Sequence, residues 1–253
     1  MKRQLSLFMV CAIVTMLSAQ TGIKDGWTLK PLAGLTLSTL VGDDAPDCKS
    51  KLGMAAGVET EWQGRSRLGF SAGLLYINSP VGEGDGWTGH GKVYGISEKG
   101  VPDYRHHLWG NYDYRFHFLA MPLLLRLHVG NGLSLYAGLQ PQVLLAARES
   151  YTHETYEYLS PEKYGVRLSS DDESSGISDI CDKFSVSVPV GLTCNYGHLS
   201  FDLRYCFGLN KVENFNDPMA PVRADSPYEW KLYRRQKDTW RCLMLSVGYK
   251  FYL

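Results

Sequence analysis

The chain has 253 residues, with 26 Lys and Arg balanced by 26 Asp and Glu, so its formal net charge is zero at pH 7. That length allows one or two ordinary domains, and the neutral balance excludes a general attraction to nucleic acid or acidic surfaces. The 26 glycines and 12% aromatics, set among many short alternating segments, point toward an all-β chain rather than a generic soluble enzyme.

Met1-Lys2-Arg3 is a basic start, residues 5–17 form an apolar run, and Ser18-Ala19 offers small residues before Gln20. This is the pattern of a signal peptide over 1–19, leaving 20–253 as the folded domain. Cys11 is not read as a lipoprotein site, because Phe8-Met9-Val10 lacks the small residues such a site needs. A spanning helix requires about 20 apolar residues. The best later stretch, 118–129, is interrupted by Pro122, Arg126 and His128. The mature chain is therefore either soluble or crosses a membrane as a closed barrel.

Strands follow from period-2 alternation. In 27–40, Trp27, Leu29, Ala33, Leu35 and Leu37 oppose Lys30, Gly34, Thr36 and Ser38. Met54, Ala56, Val58, Thr60 and Trp62 oppose Gly53, Ala55, Gly57, Glu59 and Glu61, and Leu68, Phe70, Ala72, Leu74 and Tyr76 oppose Gly69, Ser71 and Gly73. In 113–129 the apolar face runs from Leu119 to Val129 in odd positions, with a phase slip near His117 that predicts a bulge. Segments 133–147, 184–196, 199–210 and 240–253 complete a set of eight. Tight glycine turns fall at 63–66, 130–132 and 197–198, while 41–51, 78–112, 148–183 and 211–239 are read as long loops. Short and long connections alternate, as in an up-and-down outer-membrane barrel with short periplasmic turns and long external loops.

Alternation alone does not say which face is inside, and a lipocalin-like soluble barrel is also eight-stranded. Here the polar faces carry mostly Gly, Ser, Thr, Asn and Cys, which suits a cramped interior rather than a solvated exterior. The apolar faces are almost free of charge over about ten residues, the length of a tilted membrane strand. Trp27, Trp62, Tyr76, Tyr196, Trp240, Tyr249 and Phe251 lie near strand ends, as in interfacial girdles. The predicted fold class is an all-β, eight-stranded antiparallel up-and-down transmembrane β-barrel in the outer membrane of a Gram-negative cell.

The final strand, MLSVGYKFYL, is expected to pair with the first and close the barrel, since lipid tolerates no open strand edge. Ser246, Gly248, Phe251 and Leu253 resemble the C-terminal signal read by the outer-membrane barrel assembly machinery. Phe118-Leu-Ala-Met-Pro-Leu-Leu-Leu-Arg-Leu127 and Leu135-Tyr-Ala-Gly-Leu-Gln-Pro-Gln142, with the closing strand, resemble the PorT-type outer-membrane β-barrel family of Bacteroidetes, a barrel of OmpA/OmpX-like architecture. Ala120 departs from the acidic residue common in that family. The resemblance implies an integral outer-membrane protein, in one branch a component of a protein-secretion system.

The predicted lumen holds Lys30, Glu59, Glu61, Arg126, Gln140, Gln142, Asp202, Arg204 and Lys250. Charges in so narrow a space must pair or be hydrated. Asp113, Arg115 and His117, near His106 and His107, invite an acid/base reading at the external rim, but no Ser or Glu can be set beside them, and no catalytic residue is assigned. Adjacent histidines alone do not make a metal site, so no metal and no cofactor is expected. Acidic loop residues Asp43, Asp44, Asp47, Asp171, Asp172 and Glu173, with frequent tyrosines, suggest surface recognition or cation-mediated contact with lipopolysaccharide. Five cysteines follow the leader, and Cys48 and Cys181, both in predicted loops, are the candidate disulfide. Expected partners are outer-membrane lipid and lipopolysaccharide, the assembly machinery and envelope or secretion proteins, with no nucleic acid. A lipid A-modifying or proteolytic barrel enzyme and a lipocalin-like binder remain open as alternatives.

Overall fold

A computed structural model describes residues 26–41, 48–64, 66–82, 87–96, 102–130, 132–160, 163–179, 181–211 and 239–253. The predicted leader, the acidic group at residues 43–47 and the loop 212–238 lie outside the described residues. The strands are β1 (Gly26–Val41), β2 (Lys49–Gln63), β3 (Leu68–Gly82), β4 (Trp87–Ile96), β5 (Pro102–Ala120), β6 (Leu123–Gly130), β7 (Leu133–Ser160), β8 (Lys163–Gly176), β9 (Phe184–Tyr196), β10 (Leu199–Lys211), β11 (Thr239–Tyr249) and β12 (Phe251–Tyr252).

Eight staves form a closed antiparallel ring. β1 pairs with β2, β2 with β3, β3 with β5 and β6, those with β7, then β9, β10, β11 and back to β1. β5 and β6 are one stave broken at Met121-Pro122. Pro122 has no N–H to give the ladder, and its carbonyl accepts from Gly73 N at 3.1 Å while Met121 N donates to Pro141 O at 2.8 Å. β11 and β12 are likewise one stave. The ladder to β1 runs from Leu32↔Gly248 to Leu29↔Phe251 and skips Pro31 and Lys30 between them, while on the opposite edge of the stave Lys250 N donates to His198 O at 2.7 Å.

The tight turns have the expected glycine chemistry. Gly197 sits at φ +60° in the two-residue loop between Tyr196 and Leu199, the first-position glycine of a type II′ turn. Gly132 sits at φ +84°, and a Cβ there would lie 2.4 Å from Asn195 O. Barrel architecture places these turns on the periplasmic side.

At the other end the structure departs from the sequence reading. Much of 78–112 and 148–183 is strand, not loop: outer β5 and outer β7 run on past the barrel and pair with each other, with β4 and β8 added on either side. The result is a sheet in the order β4-β5-β7-β8 standing on the external rim. Alternation could not mark these segments, because 148–157 and 169–176 are mostly polar and charged and carry no hydrophobic period.

Two further corrections concern register. β5 keeps its phase through His117, with Phe116 and Phe118 both inward at 0% and 4% exposure. The irregularity at this level lies on β7, where His117 faces Ala146 but Phe118 faces Leu144, so Leu145 is the extra residue. Trp240 does not join the aromatic girdle. It points inward at 2% exposure, donates its indole N–H to Ser79 Oγ and packs on Phe118. The other six predicted girdle aromatics are exposed, from Trp62 and Tyr76 at 38% to Tyr196 at 56%.

Candidate functional site

All nine predicted lumen residues are buried, none more than 5% exposed. Inward parity places them there, and the ladder register decides which meet. Lys30 faces Glu59 across β1 and β2. Glu59 is a hub: Lys30 Nζ lies 2.9 Å away, Arg126 Nη2 donates at 3.2 Å and Arg204 Nη2 donates to its other oxygen. Glu61 accepts from Lys250 Nζ at 2.9 Å, with Arg126 and His128 at 4.0 and 3.7 Å. Asp202 accepts from Tyr136 Oη and Thr193 Oγ1, each at 2.7 Å. The Tyr136 ring stacks under both guanidinium groups, 4.8 Å from Arg126 and 5.4 Å from Arg204. Gln140 donates to Gln142 at 3.4 Å on β7.

Four lumen cations therefore meet three carboxylates in a connected network, the condition under which buried charge is tolerated. Tyr136, Thr193 and His128 belong to this network but were not singled out by the sequence, although each has inward parity. Nearer the external rim the interior is apolar. Leu40, Ala55, Leu75, Ile77, Phe116, Phe118, Trp240 and Met244 fill the same barrel. Eight strands leave room only for side chains. A small recess lined by Phe116, Phe118, Leu144 and Trp240 together with Gln142 and Asn210 lies at the external end of this plug.

At the rim, Asp113 is bound by Lys51, and His117 Nδ1 lies 2.6 Å from Tyr76 Oη. Arg115 is exposed on β5, and the side chains of His106 and His107 lie outside the described residues. Among the described residues no group of three metal-ligating side chains occurs. Asp171 and Asp172 stand on β8, where Asp172 accepts from Thr152 Oγ1 at 3.0 Å, and Glu173 accepts from Tyr151 Oη at 2.7 Å. Cys181 is buried in the apolar cluster, and Cys48 packs against the same cluster. In the last stave Ser246 and Gly248 face inward, and Phe251 and Leu253 face outward at 48% and 81% exposure.

Outward faces carry a broad apolar belt, with Leu35, Leu125, Leu139 and Leu245 between 53% and 61% exposed. A ring with its charges inside and bare leucines outside is a membrane-spanning β-barrel. The chain belongs to the family described as outer membrane protein beta-barrel domain, whose model matches residues 19–214. It is an integral outer-membrane protein.

Among solved structures, Ail, the attachment invasion locus protein of Yersinia pestis, is 12% identical, with 90% of this chain and 100% of that chain covered and a TM-score of 0.41. Neisserial surface protein A (NspA) is 10% identical over 90% and 98%, with a TM-score of 0.40. The outer membrane protein OprG from Pseudomonas aeruginosa is 12% identical over 92% and 99%, with a TM-score of 0.35. No curated protein matches.

Proposed function

We propose that this chain is a closed barrel without a solute channel, and that it acts through its external face or as a component of an envelope assembly. The observation that carries this reading is the double plug: a charged network toward the periplasm and an apolar core toward the outside. A pore through it would have to break the Glu59 hub. The external sheet built from β4, β5, β7 and β8 is the large feature left to meet a partner, as binding sites sit on segments raised above a rigid scaffold. The PorT-type resemblance suggests protein secretion as the assembly.

The chain is read as non-enzymatic. Asp113 is occupied by Lys51, and His117 and Tyr76 face outward beside each other with no nucleophile bonded to them among the described residues. Cleavage after Ala19, an assembly signal formed by Ser246, Gly248, Phe251 and Leu253, and a Cys48–Cys181 disulfide are parts of the same proposal. They correspond to export through an oxidising compartment and insertion by the assembly machinery.

Planar-bilayer recording on the purified chain tests the closed state. The expected result is no stepwise conductance, and steady ohmic steps from the unmodified protein would overturn it. Replacing 87–112 and 149–176 with short turns tests the external face. The barrel should still shift on unboiled gels while complementation of a deletion strain's envelope or secretion defect is lost. Full complementation by this trimmed barrel would sink the reading.

A further inference from the structure

Arg115 and Arg148 stand directly opposite each other where β5 pairs with β7. Both are exposed. The next pair in the ladder, Phe116 and Ala147, is inward at 0% and 1% exposure, so both guanidinium groups lie on the outer surface of the ring. Like charges directly opposite on antiparallel strands repel and weaken the pairing. Among the described residues neither arginine takes part in an ion pair. The nearest carboxylate on that face of β5, Asp113, is taken by Lys51. Glu149, next to Arg148, alternates to the other face.

Their height is specific. One step nearer the periplasm on the same face is the His117/Ala146 pair, and below it the apolar belt begins with Leu119 at 37% exposure, Leu145 at 54% and Val143 at 46%. The arginines are thus the first charged level above hydrocarbon. On the far side of Arg148, in register with it on β8, is Gly176, and no atom lies within 4 Å of where its Cβ would be. Among the described residues the surface beside Arg148 is open.

We propose that Arg115 and Arg148 bind the phosphorylated headgroup of an outer-leaflet glycolipid, the lipid A portion of lipopolysaccharide. A phosphate set between two guanidinium groups turns their repulsion into paired, bidentate attraction, which planar arginine donors suit better than lysine. The apolar belt directly beneath takes the acyl chains of the same molecule. That continuity selects a lipid over a soluble polyanion, which would have no use for Leu119 and Leu145. The ligand is bound at the membrane level rather than on the external sheet, so this site is separate from the face proposed to meet a partner.

The test uses the whole mature chain, refolded in an uncharged detergent, with binding read by native mass spectrometry. The probes are bisphosphorylated lipid A, the same lipid with both phosphates removed, and inositol hexakisphosphate as a soluble polyanion. Lipid A should bind the unmodified chain at least tenfold more tightly than its dephosphorylated form. In the Arg115→Gln/Arg148→Gln variant that preference should disappear, with the heat-dependent gel shift showing that the barrel is intact. If the double variant does not fold, Arg148→Lys keeps the charge but loses the planar fork, and it should weaken lipid A binding severalfold. Equal binding of the two lipids by the unmodified chain overturns the proposal. So does an unchanged preference in the folded variants. Tighter binding of the soluble polyanion than of lipid A would reassign the pair to an external ligand.

Discussion

Glu59 is the residue on which the interior depends most. It is 1% exposed and faces Lys30, Arg126 and Arg204, which arrive from three other staves. Removing one partner of a buried charge pair leaves uncompensated charge and typically costs about 3–5 kcal/mol. Glu59→Gln keeps the shape and removes the charge, leaving two carboxylates for four cations. The unfolding free energy from urea titration, followed by tryptophan fluorescence in lipid vesicles, should fall by an amount in that range, while Gln142→Ala should cost less because Gln142 carries no charge. The burial of Glu59 was legible from parity alone. Its partners were not, because Arg204 lies 145 residues away in the chain and only ladder register brings them together. The cysteines divide in the same way. Cys206 faces Cys242 in the ladder, both buried, while Cys194 alternates to the bilayer face. Peptide mapping of alkylated, unreduced protein should find Cys48 linked to Cys181 and Cys194 in no cross-link. Cys48 and Cys181 both fully alkylated would end that pairing.

Among the elements, β8 depends most on the solvent. Among the described residues it pairs with β7 alone, and the side-chain bonds across that pair include a cluster around Glu154 beside the Thr152–Asp172 and Tyr151–Glu173 bonds. The Glu154 carboxylate accepts from Tyr156 Oη at 2.8 Å, Arg167 Nη1 at 2.9 Å and Ser170 Oγ at 3.4 Å. Tyr156 first, then the donors on β8, hold its carboxyl below the ordinary value of 4.5. A depressed carboxyl contributes stability that is complete above its unfolded value and is lost as pH falls through the folded one. The attachment of β8 should therefore be constant from neutrality down to about pH 4.5 and weaken below it. Hydrogen exchange of the β8 amides, corrected for intrinsic rates, should show this loss of protection, and Glu154→Gln should flatten it. Unchanged protection well below pH 4 in the parent chain would remove Glu154 as the clasp. Neither β8 nor β4 could be found by alternation, for Ser169 to Gly176 reads as a polar loop whichever face is counted. β9, β10 and β11 were plain because each divides bilayer from packed interior, which imposes a strict period of two. Trp240 was misplaced because its position near a strand end resembles a girdle, whereas its even parity, shared with Cys242 and Met244, sends it inward.

For the whole molecule the decisive property is which face meets apolar surroundings, and the same ladder holds the answer. Leu245 pairs with Leu35 on one side and Leu203 on the other, and all three point outward with 57%, 53% and 39% exposure. They lie mid-belt. A soluble barrel could not leave such a row bare, whereas in a bilayer these side chains face acyl chains. An arginine at the midplane of a transmembrane barrel costs about 2–4 kcal/mol, and near the interface about 0–1 kcal/mol. Leu245→Arg should therefore lower the unfolding free energy in phospholipid vesicles by the larger amount. Val41→Arg, at the external end of β1 on the same outward face, should lower it by the smaller one. Both changes keep an exposed position exposed, so neither crowds the Glu59 network, and the difference between them isolates depth in the bilayer. A gradient along β1 and β11 would show that hydrocarbon lies against this face. Equal costs at the two positions would mean that the leucines are covered by protein instead, and the closed ring would then be part of a larger protein wall rather than a barrel standing alone in lipid.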